Sequence, residues 1–221
     1  MGRGGGRSRV RTARGRDASS VRWIQRQLDD PYVRAAKAAG WRSRAAFKLI
    51  ELDARFGLLK GSRRIVELGA APGGWTQVVA KRRPDARIVA LDILPMAPLD
   101  GVVVLDADIR DPTTPARVAE ALGGPADLVL SDMAANTVGH ARTDHLRTMA
   151  LVESALDLAE ALLAPGGTLV AKVLAGGADA ALVARLKAGF AEVKHAKPPA
   201  SRKDSREWYV VAKGWKGPAT G

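Results

Sequence analysis

From Arg64 onward, short apolar runs alternate with stretches whose apolar residues recur every three or four positions. The order is "RIVEL" then "TQVVAKRR"; "RIVALD"; "VVVLDAD" then "TPARVAEAL"; "DLVLSD" then a long helix over Asp144 to Leu163; "GTLVAKVL" then "DAALVARLKAGF". Apolar runs of strand length separated by helical periods predict an α/β fold, a mostly parallel sheet with helices on both faces. The long helix repeats Leu146, Met149, Val152, Leu156, Ala159 and Leu163, a spacing that buries one face on the sheet. Near the C-terminus, "EVKHAK" and "EWYVVAKGW" are separated by a polar loop with no helix, which predicts an antiparallel hairpin closing the sheet.

Ahead of the sheet the pattern gives two helices. In "DDPYVRAAKAAG", Asp30 is a natural N-cap, Pro31 fits the first helical position and Gly40 is a stop. Ser43 is placed to cap "RAAFKLIELDARF", which carries Lys48 and ends near Gly57.

Composition sharpens this reading. The 221 residues are 47% hydrophobic and 26% charged, enough for one sizeable core, so one domain over 21–215 is expected, with a flexible tail at 216–221. There is no run of membrane-spanning length and no apolar signal segment, so a cytoplasmic protein is expected. The absence of cysteine excludes disulfides, thiolate nucleophiles and Cys-ligated metals. Net charge is +12, which favours a polyanionic partner. Residues 1–16 hold six arginines and no acid, leaving 12 − 6 = +6 for the rest. An arginine- and glycine-rich stretch cannot bury enough apolar surface to fold, so 1–20 reads as a disordered arm, either with electrostatic affinity for RNA or simply solvated.

The stretch "RIVELGAAPGGWTQ" runs from the first strand into a loop with Gly69, Gly73 and Gly74, where backbone can approach a ligand closely. Asp92, ending the next strand, stands where an acid takes the ribose hydroxyls of an adenosine ligand. The spacing is not G-x-G-x-x-G and there is no P-loop, which disfavours a pyrophosphate and favours an adenosine without phosphates, S-adenosylmethionine being the common one. The same loop also reads as a tight strand-to-helix turn. Asp108 after the third strand is either an acceptor for the adenine amino group or an ordinary loop acid.

Charge inside strands needs a reason. Lys172 interrupts "GTLVAKVL", Asp132 ends "DLVLSD" beside the same crevice, and Glu207 opens an apolar strand. With these residues in view, the chain resembles the FtsJ-like (RlmE-type) ribosomal RNA 2′-O-ribose methyltransferases. "DPYVRAAKAAGWRSRAAFKL", "LGAAPGGW", "LDILPM", "SDMA", "LAPGG", "AKV" and "SREWYVVA" stand in that family's order and spacing, from Asp30 to Lys213. The resemblance departs at Ala135, where the family commonly has proline, and in "VLAGGAD", which lacks an aromatic.

The resemblance implies a Rossmann-like class I methyltransferase domain using S-adenosylmethionine, and a Lys-Asp-Lys-Glu tetrad at Lys48, Asp132, Lys172 and Glu207. It also implies cofactor contacts at Gly69, Gly73, Trp75, Asp92, Asp108 and Asp132, and a uridine 2′-oxygen of large-subunit (23S) ribosomal RNA as acceptor. Lys172 is the expected base, since burial and a neighbouring cation both favour a neutral lysine, and Asp132 the orienting group. Arg42, Arg44, Arg202, Lys203 and Arg206 lie close in sequence to tetrad members and are the expected phosphate rim. Trp41 and Trp208 are either base-stacking or core residues, and His140, His145 and His195 form no metal-ligand grouping. The expected partner is ribosomal RNA within the large subunit, bound by a monomer without metal or membrane. A transfer RNA methyltransferase and a noncatalytic ribosome-assembly factor on the same fold are the competing readings.

Overall fold

A computed structural model describes residues 30–135, 141–174 and 180–218; the arginine-rich arm and His140 lie outside them. The elements are α1 (Pro31–Ala38), α2 (Ala45–Phe56), β1 (Arg64–Leu68), α3 (Gly74–Arg82), β2 (Arg87–Asp92), β3 (Val102–Asp106), α4 (Thr114–Leu122), β4 (Ala126–Ser131), α5 (Ala141–Leu162), β5 (Leu163–Leu174), α6 (Ala180–Gly189), β6 (Phe190–Ala196) and β7 (Glu207–Trp215). The seven strands run β3-β2-β1-β4-β5-β7-β6, parallel from β3 to β5 and antiparallel across β5, β7 and β6.

The hairpin therefore forms as the sequence indicates, but its second strand inserts beside β5 and leaves β6 at the edge. That order matters for the site, because only the insertion of β7 sets Tyr209 opposite Lys172 and Glu207 opposite Leu174. Strand order reverses between β1 and β4, and the crevice at their carboxyl ends is where ligands of such sheets lie.

Two apolar layers sandwich the sheet. One joins Val118 and Leu122 of α4, the buried face of α5 and Leu182 and Leu186 of α6 to one sheet face. The other packs Leu49 and Leu52 of α2 and Trp75, Val78 and Val79 of α3 against Ile65, Leu130 and Val211. Each fully buried leucine or valine of this kind stabilises the fold by about 1.5–3 kcal/mol.

Asp30 caps α1 as its sequence suggests, accepting from the Tyr32 N–H at 2.9 Å. Ser43 does not cap α2. The N-cap is Arg44, without a side-chain cap bond, and the Ser43 hydroxyl instead sits where a side chain at Gly74 would be. In α5, Met149, Val152, Leu156 and Ala159 are buried, whereas Leu146 at the start of the stripe is 61% exposed and Leu163 belongs to β5.

Candidate active site

The order of the sheet brings four charged side chains to one point. Lys48 lies one turn into α2 on the buried stripe with Leu49 and Leu52. Asp132 follows the last residue of β4, Lys172 lies near the end of β5, and Glu207 opens β7. Lys172 Nζ donates to the Asp132 main-chain oxygen at 2.7 Å and to Oδ1 at 3.0 Å. Lys48 Nζ lies 3.6 Å from the same Oδ1 and 3.3 Å from Glu207 Oε2, while Glu207 Oε1 is 3.7 Å from Lys172 Nζ. Two ammoniums and two carboxylates thus alternate around a closed ring. Both lysines are only 6% exposed, a burial that costs several kcal/mol per charge unless opposite charges and hydrogen bonds offset it.

Electrostatics follow from that packing. Burial would raise the Asp132 carboxyl, but the Lys172 and Lys48 ammoniums, with hydrogen bonds from Tyr209 and Lys172, outweigh it and hold the group below the ordinary carboxylate range. For Glu207, burial is again outweighed by Lys48 and Lys172, and its carboxyl is also lowered. Both acids are therefore ionised across the neutral range.

Tyr209 is a fifth member that sequence reasoning did not single out. Its hydroxyl donates to Asp132 Oδ1 at 2.5 Å, its ring packs on Trp75 at 5.6 Å between centroids, and burial followed by the Asp132 charge pushes its phenol well above the ordinary value. A signal was available: Glu207 and Tyr209 are two apart on one strand, so they share a face, and a tyrosine in an apolar strand needs a polar partner. Tyr209→Phe keeps the ring and removes only that bond. A loss of about 2 kcal/mol, the order for a hydrogen bond to a charged group, is expected as a fall in the midpoint of thermal unfolding. An unchanged midpoint would show that the bond contributes nothing to stability.

The glycine loop lies beside this cluster. Gly69 takes φ +72 and Gly73 φ +102, conformations that side chains rarely adopt, and a Cβ at Gly69 would overlap Met133. The loop is tied to β2 by the Gly69 and Ala70 N–H groups donating to the Leu91 oxygen, and by the Ala71 N–H donating to Asp92 Oδ2 at 2.8 Å. Asp92 Oδ1 accepts from the Leu94 N–H at 2.9 Å, so this acid braces both loops and keeps spare lone pairs at the crevice. Directly after it, Ile93 and Leu94 are 62% and 61% exposed, an apolar step that the sequence reading passed over. Asp108 is engaged by Arg110, whose Nη2 and Nε donate at 2.6 and 3.0 Å; that hydrogen-bonded pairing lowers its carboxyl to about 2.

Trp75 is turned inward. Its indole is 1% exposed and donates to the Ala45 oxygen at 2.8 Å, so the ring supports α2 and Tyr209 from beneath the crevice and offers a ligand no surface. The rim residues also divide. Arg44 Nε and Arg202 Nε converge on the buried Asp30 Oδ2 at 3.0 and 3.2 Å, and Arg44 Nη2 donates to the Ala200 oxygen at 2.5 Å. Arg42 spends its guanidinium on main-chain oxygens. Lys203 and Arg206 are exposed. Trp208 alternates with Glu207 and Tyr209 along β7, so it projects from the sheet face opposite theirs, and Trp41 packs under Lys81. Among the described residues no group of histidines and acids could hold a metal ion, and no helix is long and apolar enough to cross a membrane.

A doubly wound sheet with a glycine loop at its switch point and a buried lysine-carboxylate ring beside it defines an α/β protein of the Rossmann-like class. Residues 41–215 match the family described as FtsJ-like methyltransferase. The chain is 66% identical over 213 residues to ribosomal RNA large subunit methyltransferase E of Rhizorhabdus wittichii, covering 96% of this chain and 93% of that protein. It is 63% identical to the Zymomonas mobilis protein of the same name, with 97% of each covered. Among solved structures it is similar to a Plasmodium falciparum protein described as a ribosomal RNA methyltransferase, with a TM-score of 0.72 at 31% identity, covering 80% of this chain and 100% of that one. The chain belongs to the FtsJ-like methyltransferase family.

Proposed function

We propose that this protein transfers a methyl group from S-adenosylmethionine to the 2′-hydroxyl of a uridine ribose in large-subunit ribosomal RNA. The observation that carries this reading is the closed ring of Lys48, Asp132, Lys172 and Glu207 at the carboxyl ends of β4 and β5. The names of the relatives support the choice of ribosomal RNA.

The crevice suits the cofactor. Its floor is backbone that glycines bring close, Asp92 offers acceptors for ribose hydroxyls, Ile93 and Leu94 offer apolar surface to a planar base, and Asp108 lies just beyond the end of β3 for its amino group. Trp75 contributes from below, by fixing α2. S-adenosylmethionine supplies a methyl group already activated on a sulfonium. What remains for the protein is to align a ribose hydroxyl and take its proton. Lys172 Nζ accepts that proton once it has released its own and stands as the neutral amine, its two remaining N–H groups held by the Asp132 main-chain oxygen and carboxylate. Glu207, whose side chain is the most exposed of the four, holds the ribose together with Lys48. Lys203 and Arg206, both exposed in the stretch that leads into β7, hold neighbouring phosphates.

The test is transfer of labelled methyl to ribosomal subunits, naked ribosomal RNA and transfer RNA from cells lacking the gene, with the product mapped by nuclease resistance. One labelled uridine ribose in large-subunit RNA is expected. Label confined to transfer RNA would move the substrate, and RNA binding without incorporation would favour an assembly factor.

A further inference from the structure

Arg42 lies in the linker between α1 and α2, and its surroundings are not those of a phosphate contact. Its main-chain N–H donates to Gln77 Oε1 of α3 at 2.6 Å, and Gln77 Nε2 donates to the Gly40 oxygen at 3.2 Å, so the linker is fastened to α3 on both sides of Trp41. From that base the guanidinium reaches two separate loops. Nη1 donates to the Ala97 oxygen at 2.6 Å and, at a longer 3.4 Å, to the Pro72 oxygen, while Nη2 donates to the Pro98 oxygen at 2.7 Å. Pro72 belongs to the glycine loop after β1, and Ala97 and Pro98 to the loop that leaves β2 at Asp92. These loops leave the carboxyl ends of the neighbouring parallel strands β1 and β2.

The packing around Gly73 points the same way. A Cβ there would lie 2.8 Å from Arg42 Nη1 and 3.0 Å from Met96 Sδ, so glycine loop, arginine and second loop are in mutual contact. The acceptors of the guanidinium are all main-chain oxygens. A planar fork with five donors can span acceptors on two loops, whereas a lysine ammonium puts its charge at one point.

We infer that Arg42 is a positioning residue for the cofactor: its guanidinium sets the separation between loop 69–74 and loop 93–98, and it is not part of the RNA rim. The inference rests on the S-adenosylmethionine reading of that crevice. It gives the "WRSR" stretch two distinct tasks, Arg42 holding these two loops and Arg44 pairing with Asp30 to hold the loop that leads into β7.

The test compares wild type, Arg42→Met and Arg42→Lys by calorimetric titration with S-adenosylhomocysteine, by steady-state kinetics and by RNA binding over a range of salt. Both variants are expected to weaken S-adenosylhomocysteine and raise KM for the cofactor about tenfold, the order of one charge-assisted hydrogen bond. Turnover at saturating cofactor should stay within about twofold, which separates a KM effect from a kcat effect. RNA affinity and its salt slope should be unchanged. Full recovery in Arg42→Lys would mean that charge suffices and would overturn the inference. So would loss of RNA affinity with cofactor affinity intact. If Arg42→Met does not fold, Gln77→Met, which releases only the anchor of the linker, should weaken S-adenosylhomocysteine in the same direction, and unchanged affinity there overturns the inference as well. Failure of the wild type to bind S-adenosylhomocysteine would remove the cofactor reading and this inference together, whereas binding by the wild type with equal affinity in every variant would remove the inference alone.

Discussion

Lys172→Met is expected to lower methyl transfer by roughly 10²–10⁴-fold, the contribution of a positioned proton acceptor, with S-adenosylhomocysteine still bound. Methionine preserves most of the apolar stem in β5, so the strand should keep its packing between Ala171 and Val173. Asp132 is not left unpaired, because Lys48 stays 3.6 Å from Oδ1 and the Tyr209 hydroxyl still donates to it. A second substitution separates proton acceptance from charge. Lys172→Arg retains a cation and several donors opposite Asp132 but cannot release a proton at any accessible pH. It should be as inactive as Lys172→Met. Turnover in Lys172→Arg above a tenth of wild type, measured with the same RNA and saturating cofactor, would assign the lysine an electrostatic task and move the base elsewhere in the ring.

The centre of the parallel half was legible in the sequence because β1, β2 and β4 are buried on both faces and read as mostly apolar runs, broken inside β1 by Glu67. Lys172, Asp132 and Glu207 stood out for the same reason, as charge inside or at the end of such runs. What the residues alone did not reveal was adjacency across the hairpin. Whether β6 or β7 lies next to β5 decides whether Tyr209 or a residue of "EVKHAK" faces Lys172, and that choice depends on tertiary pairing, which local periodicity does not encode.

The arginines mark a second limit. A guanidinium on the surface and one clamping the interior have the same sequence signature, and Arg42, Arg44 and Arg202 could be told from Lys203 only once Asp30 and the carbonyls of Ala97, Pro98 and Ala200 were in place around them. Trp75 was displaced for a related reason. It follows the glycine loop directly in sequence, but one helical step past Gly74 turns the indole into the core between α2 and Tyr209.

Glu67 carries the second large expectation. It is the penultimate residue of β1, it is 2% exposed, and its Oε2 accepts from the Thr76 hydroxyl at 2.6 Å. Burial is the main cause that raises its carboxyl from 4.5 to about 8; the Thr76 bond opposes this, and the Asp132 and Asp92 charges add to it. The sign of the stability effect follows. Between those two values the folded protein keeps a proton that the unfolded chain has released, so folding binds protons, and stability falls as pH rises through the window and levels off above it. At about 1.4 kcal/mol per unit, the burden at pH 9 is on the order of 3–5 kcal/mol. Glu67→Gln removes the titration and keeps an amide oxygen for Thr76. The ligand-free variant should match wild type closely at pH 5 and unfold on the order of 10 °C higher at pH 8.5–9, each kcal/mol shifting a domain of this size by a few degrees. Because both proteins share every other titrating group, the difference between their midpoints at each pH isolates this carboxyl. A difference that stays flat from pH 5 to pH 9 would mean that Glu67 is already ionised in the folded protein and that water or a cation, not the apolar layer beneath α3, surrounds it.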